Sequence, residues 1–141
     1  MRTHSTARAQ AEAGLEPHVY VQLGIQERSV PTEDEIDGVV YHRPAGPSIF
    51  TSGHTTWLQR NADELLATVL RVRPEVLHAH SDYHNAILAS AVGRATGIPV
   101  VYETRGFWEE TWLSRTADKH GWDDVEQLFA TFGTPEAYTW R

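Results

Sequence analysis

The sequence predicts an α/β domain, a largely parallel sheet flanked by helices, on three observations. Short apolar runs alternate with amphipathic helical stretches along the chain. One stretch reads as a whole βαβ unit: Glu75 to Ala79, a helix, then Pro99 to Glu103. Both strands of that unit end in polar groups, His78-Ala79-His80-Ser81 and Glu103-Thr104-Arg105-Gly106. Carboxyl ends of parallel strands are the edge where open α/β sheets bind ligands.

The chain has 141 residues, enough for one domain with a true core. Hydrophobic residues at 40% against charged residues at 22% give a globular rather than a disordered balance. A formal net charge of −7 argues against a nucleic-acid partner, which a basic face would attract. Cysteine is absent, so disulfides and thiolate metal sites are excluded. No apolar run approaches the roughly 20 residues of a membrane span, and no signal-peptide core follows Met1. The expectation is a cytoplasmic protein without an integral membrane segment.

Element by element, Thr6 to Ala13 is Ala-rich and reads as a helix ending at Gly14. Pro17 opens a strand through Leu23, and the polar, acidic stretch Gly24 to Gly38 reads as an exposed loop. Val39 to His42 is a second strand, stopped by the Pro/Gly-rich stretch Arg43 to Gly53. Thr55 or Thr56 is placed to N-cap a helix with Leu58, Ala62, Leu65, Leu66, Val69 and Leu70 on one face. Pro74 breaks it before the third strand. Ser81 or Asp82 caps the next helix, whose stripe is Ile87, Leu88, Ala91, Val92 and Ala95, and Gly97 closes it before the fourth strand. A last helix is expected from Trp122 to Phe132.

The order begins with a helix. In a doubly wound sheet the first strand sits in the middle, and a sheet without it has two unpaired buried edges. The expectation is therefore a domain lacking its first strand; the alternative is a four-stranded sheet that closes the gap.

Arg73-Pro74-Glu75-Val76-Leu77-His78-Ala79-His80-Ser81, followed by Gly97-Ile98-Pro99-Val100-Val101-Tyr102-Glu103-Thr104-Arg105-Gly106-Phe107-Trp108-Glu109, resembles the N-terminal domain of family 4 glycosyltransferases of the GT-B fold. There "R-P-D-V-x-H-x-H" closes one Rossmann strand and "G-I-P-x-V-Y-x-x-[H/R]" forms the next. The Arg-Gly-Phe-Trp-Glu variant resembles a subset associated with exopolysaccharide synthesis, and Arg2-Thr3-His4-Ser5 resembles the start of the family's first helix. The resemblance runs from about Arg2 to Ser114 and rests on order and spacing. It implies a Rossmann-like, acceptor-side domain over residues 1–141, with 114–141 a peripheral helical tail. A separate C-terminal domain would bind the donor through basic residues and a Glu-x7-Glu motif; this chain is too short to hold it. The partners implied are a nucleotide-sugar donor and a saccharide or lipid-linked acceptor, with peripheral membrane association in the latter case. Relatives are generally metal-independent, and the resemblance implies no cofactor. Little or no activity is expected of the chain alone.

The resemblance puts His80 and Ser81 in the acceptor cleft, with Tyr83, Glu103, Arg105 and Trp108 as further acceptor-binding residues. His78 is expected to pack or bond within the sheet. Arg105 and Glu109 are the candidate catalytic residues. Arg105 stands where many relatives carry a cleft histidine; a guanidinium there can hold phosphate or carboxylate, or simply pair with Glu103 or Glu109. Glu109 and Glu110 can bind acceptor hydroxyls or supply a base, or form a solvated first helical turn. Phe107, Trp108 and Trp112 offer sugar-stacking faces, though packing explains them as well.

Two rival readings belong to other classes. One is a non-catalytic module pairing with a separate donor domain. The other starts from His78 and His80, which share one face of a strand, with His84 following. Imidazoles so placed suit a metal, and His-x-His-Ser-Asp-Tyr resembles the opening of PHP-type metallo-phosphoesterases. That family expects its motif on the first strand, and an arginine such as Arg105 repels a dication. His42, His54 and His120 show no partner pattern. Gly-x-Gly-x-x-Gly, P-loop and Gly-x-Ser-x-Gly motifs are absent, which disfavours dinucleotide-binding, NTPase and hydrolase readings.

Overall fold

The computed structural model describes residues 2–25 and 31–106. The chain divides into two compact units, Met1–Glu103 and Thr104–Arg141. Of the second unit only residues 104–106 are described, so Phe107, Trp108, Glu109, Glu110, Trp112 and the expected helix over 122–132 lie outside the described residues.

The first unit runs α1 (Arg2–Glu12), β1 (His18–Tyr20), β2 (Glu33–Ile36), β3 (Val39–His42), α2 (Ile49–Ser52), α3 (His54–Val72), β4 (Leu77–His80), α4 (Tyr83–Thr96) and β5 (Val100–Glu103). It is an α/β arrangement. β1 pairs with β3 in parallel, β2 pairs with β3 antiparallel, and β4 pairs with β5 in parallel. Among the described residues these five strands form two ladders, β1-β3-β2 and β4-β5, and do not close into one four-stranded sheet.

The acidic stretch expected as a loop contains β2. The turn explains it: Asp37 and Gly38 both have positive φ, 52° and 74°, the backbone of a tight two-residue hairpin. Three of the four β2 residues are acidic, which suits an exposed edge but hides a strand from composition. Glu33 and Asp34 are held rather than merely solvated: Arg71 meets Glu33 at 3.0 Å, and Arg43 pairs with Asp34.

α1 starts a turn earlier than the Ala-rich run suggests and anchors to β3 through His4 Nδ1 and the Tyr41 hydroxyl, 2.7 Å apart. The N-cap of α3 is Gly53, not Thr55 or Thr56, and no side chain caps it. The one-turn helix α2 ends at that glycine, and the Trp57 N–H bonds the Gly53 carbonyl at 3.0 Å, so the chain passes directly from one helix into the next. Leu70, expected on the buried face, is exposed, and the buried positions are Trp57, Asn61 and Val69. This i, i+4 row includes a Trp and an Asn, whose polar atoms both find partners. Trp57 Nε1 donates to the Leu23 carbonyl at 3.0 Å, and Asn61 Oδ1 accepts the Leu23 N–H at 2.9 Å. These two side chains satisfy the backbone just past β1, where no strand does so.

α4 is capped as expected by Asp82, which accepts the Asn85 N–H at 3.1 Å, and closes at Gly97. Its buried stripe is rotated by about one position from the expected one, to Leu88, Ala89, Val92 and Gly93, leaving Ile87 exposed. Gly93 fixes the rotation. A Cβ there would overlap the Val100 side chain and lie 2.9 Å from the Ile98 carbonyl oxygen, so only glycine lets α4 approach β5 this closely. No helix among the described residues is long and apolar enough to cross a membrane.

Candidate functional site

The polar residues of the βαβ unit meet on one face of β4-β5. Alternation puts His78 and His80 on the same side of β4, and the register pairs His80 with Glu103, bringing that carboxylate to the same side. Val100, which contacts α4 at Gly93, points to the other side. The histidine face is thus the one turned away from α4. On it, Glu103 Oε2 lies 3.0 Å from His80 Nδ1 and 3.4 Å from His78 Nε2, and the two imidazole centroids are 4.0 Å apart. All three side chains are partly exposed: 28% for His78, 18% for His80 and 40% for Glu103.

Beyond His80 the chain turns sharply. Ser81 has φ 71°, a left-handed conformation that an L-residue adopts at a cost. Two bonds hold it: its N–H donates to the Glu103 carbonyl at 3.0 Å, and the Tyr102 hydroxyl donates to its carbonyl at 2.8 Å. The turn sends Asp82 into the cap of α4 and leaves Tyr83 exposed, its ring 4.0 Å from that of His84.

Asn85 binds this edge together. Its Nδ2 donates to the His80 carbonyl at 2.7 Å, while its Oδ1 accepts from Gln22 Nε2 at 2.7 Å. Gln22, buried just beyond β1, is thereby joined to the end of β4 across two strands that share no ladder. Neither residue stood out in the sequence. The available signal was a glutamine at the end of an apolar strand and an asparagine three residues past a cap.

Burial lowers the His84 pKa below the ordinary histidine value, with Asp82 opposing and nearby His54 adding to the shift. His54 and His84 face each other through their Nε2 atoms at 3.1 Å. His42 shifts the same way: burial lowers it against the opposing hydrogen bond to the Glu33 carboxylate. It sits between His18 Nδ1 at 2.9 Å and Glu33 Oε2 at 2.9 Å. His42 and His54, which had no partner pattern in the sequence, therefore both belong to side-chain networks.

Of the expected site residues, His80, Ser81 and Glu103 come together at one strand edge, and Tyr83 opens the adjoining helix. His78 bonds within the sheet as expected, but on the same carboxylate as His80 and with a solvent-accessible ring. Arg105 falls in the second compact unit. Trp108 and Glu109 lie outside the described residues.

Chemically, this edge offers imidazole nitrogens, a carboxylate and a hydroxyl, a donor and acceptor set suited to a polyhydroxylated ligand or a cation. No curated protein and no solved structure matches the chain. A family model described as "Glycosyl transferase 4-like domain" matches residues 1–132. The chain belongs to the glycosyl transferase 4-like family, as its strand order and strand-end residues suggested.

Proposed function

We propose that this chain is the acceptor-side portion of a glycosyltransferase that moves a sugar from a nucleotide-sugar donor to a saccharide or lipid-linked acceptor. The observation that carries the reading is the convergence of His80, Ser81 and Glu103 at the carboxyl edge of a parallel strand pair. An imidazole there can donate to or accept from a sugar hydroxyl, and the Glu103 carboxylate accepts from one. Ser81 adds a hydroxyl, and Tyr83 an exposed ring. In this reading Arg105 and Trp108 complete the acceptor site, with Arg105 and Glu109 as the catalytic groups. Arg105 suits the anionic part of a substrate, and Glu109 suits a base toward the acceptor hydroxyl.

The donor would be held by a second domain, so the chain by itself is inactive toward nucleotide sugars. The transferase is of the exopolysaccharide-synthesis subset, and its saccharide or lipid-linked acceptor is met on the cytoplasmic side, with peripheral membrane contact if it is lipid-linked. Release of nucleoside diphosphate from a panel of nucleotide sugars, with and without saccharide acceptors, tests this division of labour. No release is expected from the purified chain. Turnover by the chain alone would contradict the assignment of the donor site to another domain.

A further inference from the structure

We propose that His78, His80 and Glu103 form a site for a divalent transition-metal ion of the zinc class, bound through His78 Nε2, His80 Nδ1 and Glu103 Oε2. Among the described residues this is the group of histidine and carboxylate side chains whose ligand atoms all lie within 4.8 Å of one another. The backbone makes it. Residues two apart on β4 present both imidazoles to one side, and the cross-strand partner of His80 is Glu103. The set does not depend on a loop.

The spacing fits a small cation. Ligand atoms about 2.0–2.1 Å from a tetrahedral zinc stand about 3.3 Å from one another. Glu103 Oε2 already lies 3.0 Å from His80 Nδ1 and 3.4 Å from His78 Nε2. Two of the three edges are therefore in place, and all the ligand atoms of the group lie within 4.8 Å of one another. Two neutral imidazoles and one carboxylate are a donor set that suits zinc, cobalt, nickel or iron rather than magnesium or calcium. Among the described residues the set has three protein ligands, the number that a site with a position for water or a substrate oxygen uses. The partial exposure of all three side chains provides the way in.

The other histidine groups are less suited. In the His18–His42 pair both His42 nitrogens are engaged, one by His18 and one by Glu33. His54 and His84 face each other at 3.1 Å, but Asp82 stands 3.9 Å from the opposite nitrogen of His84. The sequence arguments against a metal were the motif's place away from the first strand and repulsion from Arg105; against the latter, the register sets the Glu103 carboxylate directly across from His80.

The inference goes beyond sugar transfer and does not rest on it, because it requires no donor, acceptor or turnover. The test is titration of the metal-stripped chain with Co²⁺, read by its visible d–d absorption, and then displacement by Zn²⁺ read by calorimetry. One saturable equivalent per chain is expected. His78→Ala, His80→Ala and Glu103→Gln should each weaken binding by at least about 10-fold, while His54→Ala leaves it unchanged. Glu103→Gln keeps the side-chain shape, and circular dichroism on every variant separates loss of a ligand from loss of the fold. Absence of saturable Co²⁺ binding in the wild-type chain would overturn the proposal. So would wild-type affinity in folded His80→Ala and Glu103→Gln variants.

Discussion

Gln22 Nε2 donates to Asn85 Oδ1 at 2.7 Å, and through that bond the end of β1 is tied to the first turn of α4. Asn85 in turn holds the His80 carbonyl at 2.7 Å, so one amide pair links the segment just past β1 to the end of β4, two strands of separate ladders.

Replacing Asn85 by Leu removes both bonds and leaves buried Gln22 without that partner. A buried polar group so orphaned costs about 1–3 kcal/mol. Urea denaturation should show a loss of that size for Asn85→Leu. Backbone amide shifts at His80 and Ser81 should move with it.

Asn61 is fully buried; it accepts the Leu23 N–H and donates to the Trp57 carbonyl at 2.9 Å. Asn61→Leu conserves volume but strands the Leu23 N–H, and a loss of about 1–3 kcal/mol is expected. The same denaturation measurement checks it, and hydrogen exchange of the Leu23 amide should accelerate.

Gly93→Ala forces a methyl group against Val100 and the Ile98 carbonyl. Overpacking of this kind costs about 1–3 kcal/mol. The thermal midpoint should fall, and Val100→Ala in the same chain should return part of the loss by relieving one of the two overlaps.

The pH response follows from His42 and His84, both shifted downward by burial. Each is neutral in the folded chain at a pH where the unfolded chain, with pKa about 6.5, binds a proton. Their contribution to stability is complete above about pH 6.5 and is lost as pH falls through the lowered folded values. The urea midpoint should therefore drop on acidification below about pH 6.5. His42→Gln should flatten part of that drop.

Much of the α/β architecture was legible because strand and helix periods differ and because Pro74, Asp82 and Gly97 mark their ends chemically. The acidic β2 was not, since its strand character lies in the Asp37-Gly38 turn and its pairing with β3 rather than in apolar content. Helix faces were displaced where one residue outweighed periodicity: Gly93 on α4, and Trp57 with Asn61 on α3. At the candidate site, His80, Ser81 and Glu103 could be found as polar ends of apolar runs. The pairing of both histidines with one carboxylate could not, because it is set by the register between strands 20 residues apart in the chain, from His80 to Val100. Gln22 and Asn85 were silent for a similar reason: amides gain their role from a partner, not from spacing.

Acceptor recognition at the β4-β5 edge is the central functional claim, and amide-resolved NMR titration of the chain with oligosaccharides measures it directly. Saccharide-dependent shifts centred on His80, Ser81 and Glu103 are expected, with affinity falling about 10-fold in His80→Ala, the size of about 1.4 kcal/mol for a lost charged or polar contact. Nucleotide sugars should leave those signals unmoved. Saccharide shifts that map elsewhere, or that survive unchanged in folded His80→Ala, would contradict the account.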